Sequence, residues 1–340
     1  MSAVFVTGGA GYVGSHAVKA LAAAGYDVVV FDDLSAGHRD AVDRIAAVSP
    51  GRSVTLVVGS MLDRPALDRA MDAARPTAVM HFAARLDVGE SVREPLAYYE
   101  VNVTGTLNVL AAMARAHVPS FVFSSTCAIF GETDEPLHED LPRQPVNAYG
   151  ETKLAVERAL PHIERATGIR WSALRYFNAA GADEDGVIGE AHDPEIHLIP
   201  RAIAAAASGA DFTIYGTDYP TPDGTCIRDY VHVADLAAAH VQALRRLEAG
   251  GESRAYNLGT GTGVSVRQVL HTIGRVADRP VPHRVGERRA GDPARLVAKS
   301  DRARHELEWR ATRSLDQIVL TAWRWHERHP LGYTSSHARS

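Results

Sequence analysis

The chain has 340 residues, 46% of them apolar and 23% charged, with a formal net charge of −5. That is the profile of a soluble globular protein with room for two domains. No basic block points to nucleic acid and no run of about eighteen apolar residues points to a membrane, and with the chain entering Val4-Phe5-Val6 directly no secretion leader is expected.

Short β-rich runs alternate with helical patterns through the first half. Strands are expected at residues 4–6, 28–31, 54–58, 78–82, 121–123 and 171–175, with helices near 13–24, 64–74, 96–116 and 149–167. Such alternation predicts a parallel sheet covered on both faces. Past residue 178 the rhythm breaks, and Gly- and Pro-rich loops at 181–194 and 216–226 separate helices at 197–208, 234–248 and 313–328. The expected fold is α/β: a Rossmann-type doubly wound parallel sheet over residues 1–177, then a smaller C-terminal α/β lobe. That lobe occupies mainly 178–335, with some segments returning to the first domain, and the tail after Tyr333 is expected to be disordered. The two cysteines, Cys127 and Cys226, make neither a disulfide framework nor a zinc site, which suits a reducing cytoplasm. The spacing of His192 and His197 fits no common metal pattern, so they read as loop or surface histidines and no metal is expected.

Thr7-Gly8-Gly9-Ala10-Gly11-Tyr12-Val13-Gly14 follows the first strand and opens the first helix. Gly8, Gly11 and Gly14 permit a tight turn, close approach to a pyrophosphate and close helix–strand packing. The phosphates would sit on the helix N-terminus, where N–H groups and the dipole favour anions. Asp32, at the end of the second strand, stands where a carboxylate accepts from a ribose 2′-hydroxyl and repels a 2′-phosphate, so NAD is favoured over NADP.

Phe121-Val122-Phe123-Ser124-Ser125-Thr126 is a buried strand running into hydroxyls, and strand carboxyl ends in such a sheet face the ligand crevice. One loop later, Asn147 is a good N-cap for a helix that carries Tyr149 and Lys153 on one face. A nearby ammonium and the positive helix end favour the phenolate, making Tyr149 a general acid/base, with Thr126 able to bond the same substrate oxygen. Taken alone, a Tyr and a Lys four apart are ordinary surface decoration. The glycine turn and the hydroxyl strand end change that reading.

These motifs resemble the extended short-chain dehydrogenase/reductase superfamily nearly end to end, and within it most closely the UDP-glucose 4-epimerase family. Further similar stretches are His81-Phe82-Ala83-Ala84, Val88-Gly89-Glu90-Ser91, Arg175-Tyr176-Phe177-Asn178, Arg228-Asp229-Tyr230-Val231-His232-Val233 and Tyr256-Asn257-Leu258-Gly259. The resemblance implies a tightly held NAD that removes and returns a hydride at sugar C4, with Tyr149, Lys153 and Thr126 catalytic. It also implies cofactor contacts at Tyr12, Val13, Asp33, Leu34, Ser60 and Met61, at Phe82, Ala83 and Ala84, and at Asn102, Ser124 and Tyr176. For a UDP-sugar it implies Asn178, Arg228 and Arg289 near the diphosphate, Asp292 on the uridine ribose, and Tyr215 and Leu296 as further contacts. A homodimer follows by the same resemblance, through helices 96–116 and 149–167.

The related 4,6-dehydratases carry an acidic pair where this chain has Cys127 and Ala128, which speaks against that activity. Departures from the family pattern are Ser60 in place of an adenine-binding Asp, Thr152 in place of a Ser before the lysine, and Arg85 one residue ahead of a usual Lys. Leu296 is of intermediate size where a large residue goes with rejecting N-acetyl sugars, leaving N-acetylhexosamine or pentose sugars as alternative substrates. A non-catalytic NAD-binding scaffold is the remaining alternative, although such proteins usually lose the Tyr or the Lys.

Overall fold

In the computed structural model, which describes residues 2–131, 135–288 and 292–333, the buried run Val4–Val6 lies in the first strand, β1 (Ala3–Thr7). After it come α1 (Tyr12–Ala23), β2 (Asp27–Asp32), α2 (Arg39–Ala47), β3 (Val54–Val58), α3 (Arg64–Ala74) and β4 (Ala78–His81). The next helical stretch is α4 (Val88–Arg93), α5 (Pro95–Tyr98), a π-helical segment at Tyr99–Gly105 and α6 (Thr106–Arg115). β5 (Ser120–Thr126), α7 (Ala148–Thr167) and β6 (Arg170–Tyr176) follow. Alternation along β1 sends Val4 and Val6 to one face and Phe5 to the other. Val4 and Val6 join the core under α1, while Phe5 stacks near Phe31 at 5.6 Å in the core beneath α3 and α6.

The second half begins with β7 (Asn178–Ala180), α8 (Leu198–Ser208), β8 (Phe212–Tyr215), β9 (Ile227–Arg228), β10 (Tyr230–His232) and α9 (Val233–Glu248). It continues with β11 (Arg254–Leu258), β12 (Val264–Ser265), α10 (Val266–Val276), β13 (His283–Gly286), β14 (Arg295–Leu296), α11 (Asp301–Glu306) and α12 (Leu315–Arg328). Ile199 and Ile203 of α8, Ile214 of β8, Ile273 of α10 and Ile318 of α12 share a core of their own. β11 does not stay with them. It pairs in parallel with β6 and completes a seven-stranded sheet of order β11-β6-β5-β4-β1-β2-β3.

All pairings in that sheet are parallel. The strand order reverses between β1 and β4, and a crevice outside the strand ends at such a switch point is where open α/β sheets take ligands. The carboxyl ends there carry Thr7, Asp32, His81, Thr126 and Tyr176. No helix among the described residues is long and apolar enough to cross a membrane. The tail after Tyr333 lies outside the described residues.

Candidate active site

A cavity of about 1560 Å³ opens at this edge, running from the α1 turn past β5 and α7 to the second-half segments. The turn is built tightly. Gly8 has φ +71°, and a Cβ there would lie 2.3 Å from the Ala83 nitrogen; one on Gly14 would lie 2.1 Å from the Gly8 carbonyl oxygen. No side chain caps α1 and no acid sits in its first turn, while Gly11, Tyr12, Val13 and Gly14 line the cavity. An uncapped helix N-terminus suits a pyrophosphate. Asp32 beside it accepts from the Ala10 nitrogen at 3.0 Å and from the Leu34 nitrogen at 2.9 Å. Burial raises its carboxyl above the usual range, and these backbone donors act in the opposite direction. Asp33 and Leu34 also face the cavity, with Leu34 in the left-handed region at φ 61°. Turn and carboxylate together fit a dinucleotide.

Gly59, Met61, Phe82, Ala83 and Ala84 continue the wall, but Ser60 does not reach it. The Ser60 Oγ accepts from the Leu62 nitrogen at 3.2 Å. Asn102 is buried behind the wall. Its side chain accepts from the Arg85 nitrogen at 2.8 Å and donates to the Arg85 oxygen at 3.0 Å and to Thr152 Oγ1 at 3.1 Å, fixing the strand exit above it. Arg85 lines the cavity, yet its guanidinium donates to Glu90 at 2.7 Å.

Asn147 caps α7 by accepting from the Gly150 nitrogen at 2.9 Å, and this sets Tyr149 and Lys153 on the cavity side. Lys153 is buried and donates to the Ser124 oxygen at 2.9 Å, which anchors its ammonium to β5 with two N–H donors left over. Desolvation lowers its pKa to about 7, against the pull of Glu157 one turn on. Tyr149 keeps part of its surface on the cavity, but packing around it pushes the phenol well above its usual range. Tyr176 adds to that rise, and a hydrogen bond with Thr126 opposes it. Desolvation thus opposes the phenolate that Lys153 and the helix end would favour. Ser124 Oγ and the Tyr176 hydroxyl share a hydrogen bond of 2.5 Å across the ends of β5 and β6.

Beneath α7 a buried pair locks the helix to β5 and β6. Arg175 donates to Glu157 at 2.6 Å and 3.0 Å, and Ser125 donates to the same carboxylate at 2.5 Å. Glu157 was legible only as the residue four past Lys153; its partner needed the fold. His81 is similar. The Thr106 hydroxyl donates to the Asn102 oxygen at 2.6 Å, so it accepts from His81 Nε2 at 2.8 Å and leaves Nδ1 for Thr7 at 2.6 Å.

Of the expected UDP-sugar contacts, Asn178, Asp292 and Leu296 line the cavity, whereas Tyr215 and Arg228 do not. Arg228 lies behind Asp292 and forms an ion pair with it. Arg289 lies outside the described residues. His192 and His197, read from sequence as loop or surface residues, converge with Glu190 and Glu195, and Glu190, His192 and His197 line the cavity.

The model of the NAD dependent epimerase/dehydratase family matches residues 4–259. The chain belongs to that family. Its glycine turn, hydroxyl strand end and Tyr149/Lys153 pair all fall within the family's matched span, and Asp292 and Leu296 lie past it. The UDP-glucose 4-epimerase of Rhizobium meliloti (strain 1021) is 48% identical over 331 residues, covering 97% of this chain and 98% of its own. That of Lactobacillus helveticus is 46% identical, with 97% and 98% covered. Among solved structures, UDP-glucose 4-epimerase from Brucella ovis in complex with NAD is 47% identical with a TM-score of 0.90, covering 95% of this chain and 98% of its own. The Bifidobacterium longum enzyme in complex with NAD+ and UDP is 35% identical with a TM-score of 0.93, covering 98% and 100%.

Proposed function

We propose that the protein interconverts UDP-galactose and UDP-glucose through a transient 4-keto sugar, using NAD. One observation carries the reading: a single cavity joins the uncapped α1 turn and Asp32 to Tyr149, Lys153 and Thr126, and then to Asn178, Asp292 and Leu296. The full-length likeness to UDP-glucose 4-epimerases supports the same substrate class. When bound, NAD would accept the hydride from C4 and return it. The residues of the chain bind, orient and move the proton. Tyr149 takes the proton of the sugar 4-hydroxyl and gives it back, Thr126 bonds the same oxygen, and Lys153 holds positive charge beneath them. Asn178 and, by the family resemblance, Arg289 hold the diphosphate, Asp292 the uridine ribose, and Leu296 bounds the sugar, while Arg228 acts from behind through its ion pair with Asp292 and Tyr215 stays off the cavity wall. A firm grip on the nucleotide with a loose one on the sugar lets the keto intermediate turn over without escaping.

Residues 1–177 then serve NAD and 178–335 chiefly the UDP-sugar, with β11 returned to the first sheet. The same reading makes the protein a homodimer. It rests on Leu96 at 84% exposure and Val92 at 66%, with Tyr99 and Leu107 beside them on the α4–α6 stretch. With no disulfide between Cys127 and Cys226, a cytoplasmic setting belongs to it as well.

The test is incubation of purified protein with UDP-galactose, and separately with UDP-N-acetylgalactosamine, without added cofactor, followed by chromatography of the 4-epimers. Conversion of UDP-galactose is the expected result. Conversion of both would widen the substrate range past Leu296, and conversion of neither, even with added NAD, would refute the assignment.

A further inference from the structure

Where the loop after β7 turns into α8, four side chains bring their donor atoms together. Glu190 Oε1 lies 3.3 Å from His192 Nδ1 and 2.9 Å from His197 Nδ1. Glu195 Oε1 lies 2.9 Å from His197 Nδ1, and its Oε2 lies 3.5 Å from His192 Nδ1. One donor atom of each residue is within 4.8 Å of all the others. Glu190 is buried at 3% exposure, yet neither its Oε1 nor His192 Nδ1 finds a hydrogen bond of acceptable direction. Glu195 Oε1, by contrast, accepts from the His197 backbone nitrogen at 2.8 Å and bonds His197 Nδ1 at 2.9 Å.

The spacing matches a known coordination shape. Zinc bonds of about 2.0–2.1 Å to His nitrogen and carboxylate oxygen, arranged tetrahedrally, set neighbouring donors about 3.3 Å apart. The four His–Glu contacts here run from 2.9 to 3.5 Å, with Glu195 turning one oxygen to each histidine, and the remaining donor pairs lie within 4.8 Å. We propose that Glu190, His192, Glu195 and His197 form a structural binding site for one divalent transition-metal ion of the zinc type. Two imidazoles select such ions over magnesium or calcium, and four protein ligands leave no open position for a reacting water.

The scaffold around the site is already fixed. Trp325 of α12 donates from Nε1 to the Glu190 oxygen at 2.8 Å, and the Tyr333 hydroxyl bonds the Gly189 nitrogen at 3.0 Å and its oxygen at 3.1 Å. His197 is the residue from which α8 starts, and the ring of His192 meets Tyr12 of the glycine turn edge-on at 6.1 Å. A bound ion would therefore tie the loop, the start of α8 and the rim beside the α1 turn into one unit. Sequence spacing hid the site, because half of its ligands are glutamates whose role only the folded loop reveals.

The experiment uses tag-free full-length protein, stripped with a chelator and then titrated with Co²⁺ at neutral pH while the visible spectrum is followed. The expected result is one Co²⁺ per chain with the intense bands of tetrahedral coordination, displaced by one equivalent of Zn²⁺. A rise in melting temperature should follow Zn²⁺ saturation. His192→Asn and Glu195→Gln, each checked for unchanged far-ultraviolet dichroism, should each weaken Co²⁺ binding by more than about 100-fold. If one variant does not fold, the other decides. Absence of a tetrahedral spectrum in the wild type, or undiminished binding in a folded variant, would overturn the proposal and leave the four residues as ion pairs alone.

Discussion

Tyr149 and Lys153 face the same cavity from one helix, but desolvation acts on them in opposite directions. It makes the phenol harder to ionise and the ammonium easier to neutralise. The proposed acid/base role of Tyr149 therefore has to work against burial. Tyr149→Phe removes only the hydroxyl; turnover should fall by roughly 10²–10⁴-fold while UDP binding, read by calorimetry, stays within a few-fold of wild type. A variant with near-normal turnover would take the acid/base role away from Tyr149. Ser60 offers a second test, since its Oγ is engaged by its own turn and leaves the cavity wall to Gly59 and Met61. Ser60→Asp should strengthen NAD retention about tenfold, the worth of one hydrogen bond to a charged group. Gel filtration followed by assay of residual NAD measures it, and unchanged retention would show that adenine is held elsewhere. Residues whose chemistry is local were readable in the sequence: the glycines, Asp32, Tyr149 and Lys153 declare themselves by type and spacing. Glu157 with Arg175, His81 with its two threonines, and the glutamates beside His192 were not. Each gains its meaning from a partner brought in by the sheet.

At the scale of elements, long periodic segments were legible and short or context-made ones were not. The helix expected at 96–116 exists as α5, a π-helical segment and α6, and the widened turn places Asn102 against Arg85 and Thr152. α2 is nine residues long with only Ala41, Val42 and Ile45 buried, too few apolar positions to stand out. α10 was missed although Ser265 and Gln268 form a capping box, because the strand-like run before it obscured its start. β11 is a short run whose place beside β6 no local pattern could announce. The α4–α6 stretch also carries the dimer prediction. Leu96 and Leu107 are exposed apolar residues on it, and burying a leucine contributes about 1.5–3 kcal/mol. Leu96→Asp with Leu107→Asp should turn the dimer into a monomer at micromolar concentration by light scattering. A double variant that stays dimeric would place the interface on another face.

Over the whole molecule, both halves bury histidines whose protonated form is disfavoured. Burial, with smaller contributions from nearby cations, lowers His81 to about 3 and His232 to about 4. Burial likewise lowers His16 and His240 to about 4, against one backbone hydrogen bond each. They sit on α1, β4, β10 and α9, so both halves of the chain are involved. In the unfolded chain each would titrate near 6.5. Below that pH the unfolded state binds more protons than the folded one, so stability is fully present above 6.5 and is lost as pH falls toward 4. Each imidazole can contribute up to about 1.4 kcal/mol per pH unit in that window. Against a typical total of about 5–15 kcal/mol, four of them acting together make the acid limb steep. Against desolvation, Glu190 and Glu195 hold His192 at about 9 and His197 at about 10, so these two act in the opposite direction above 6.5. Urea unfolding is therefore compared at pH 6.5 and pH 5.5, and the midpoint should be lower at the lower pH with an unchanged slope. Equal midpoints would mean that these rings are solvated or protonated in the folded protein, and that the seams between α1, α9 and the sheet are looser than their packing implies.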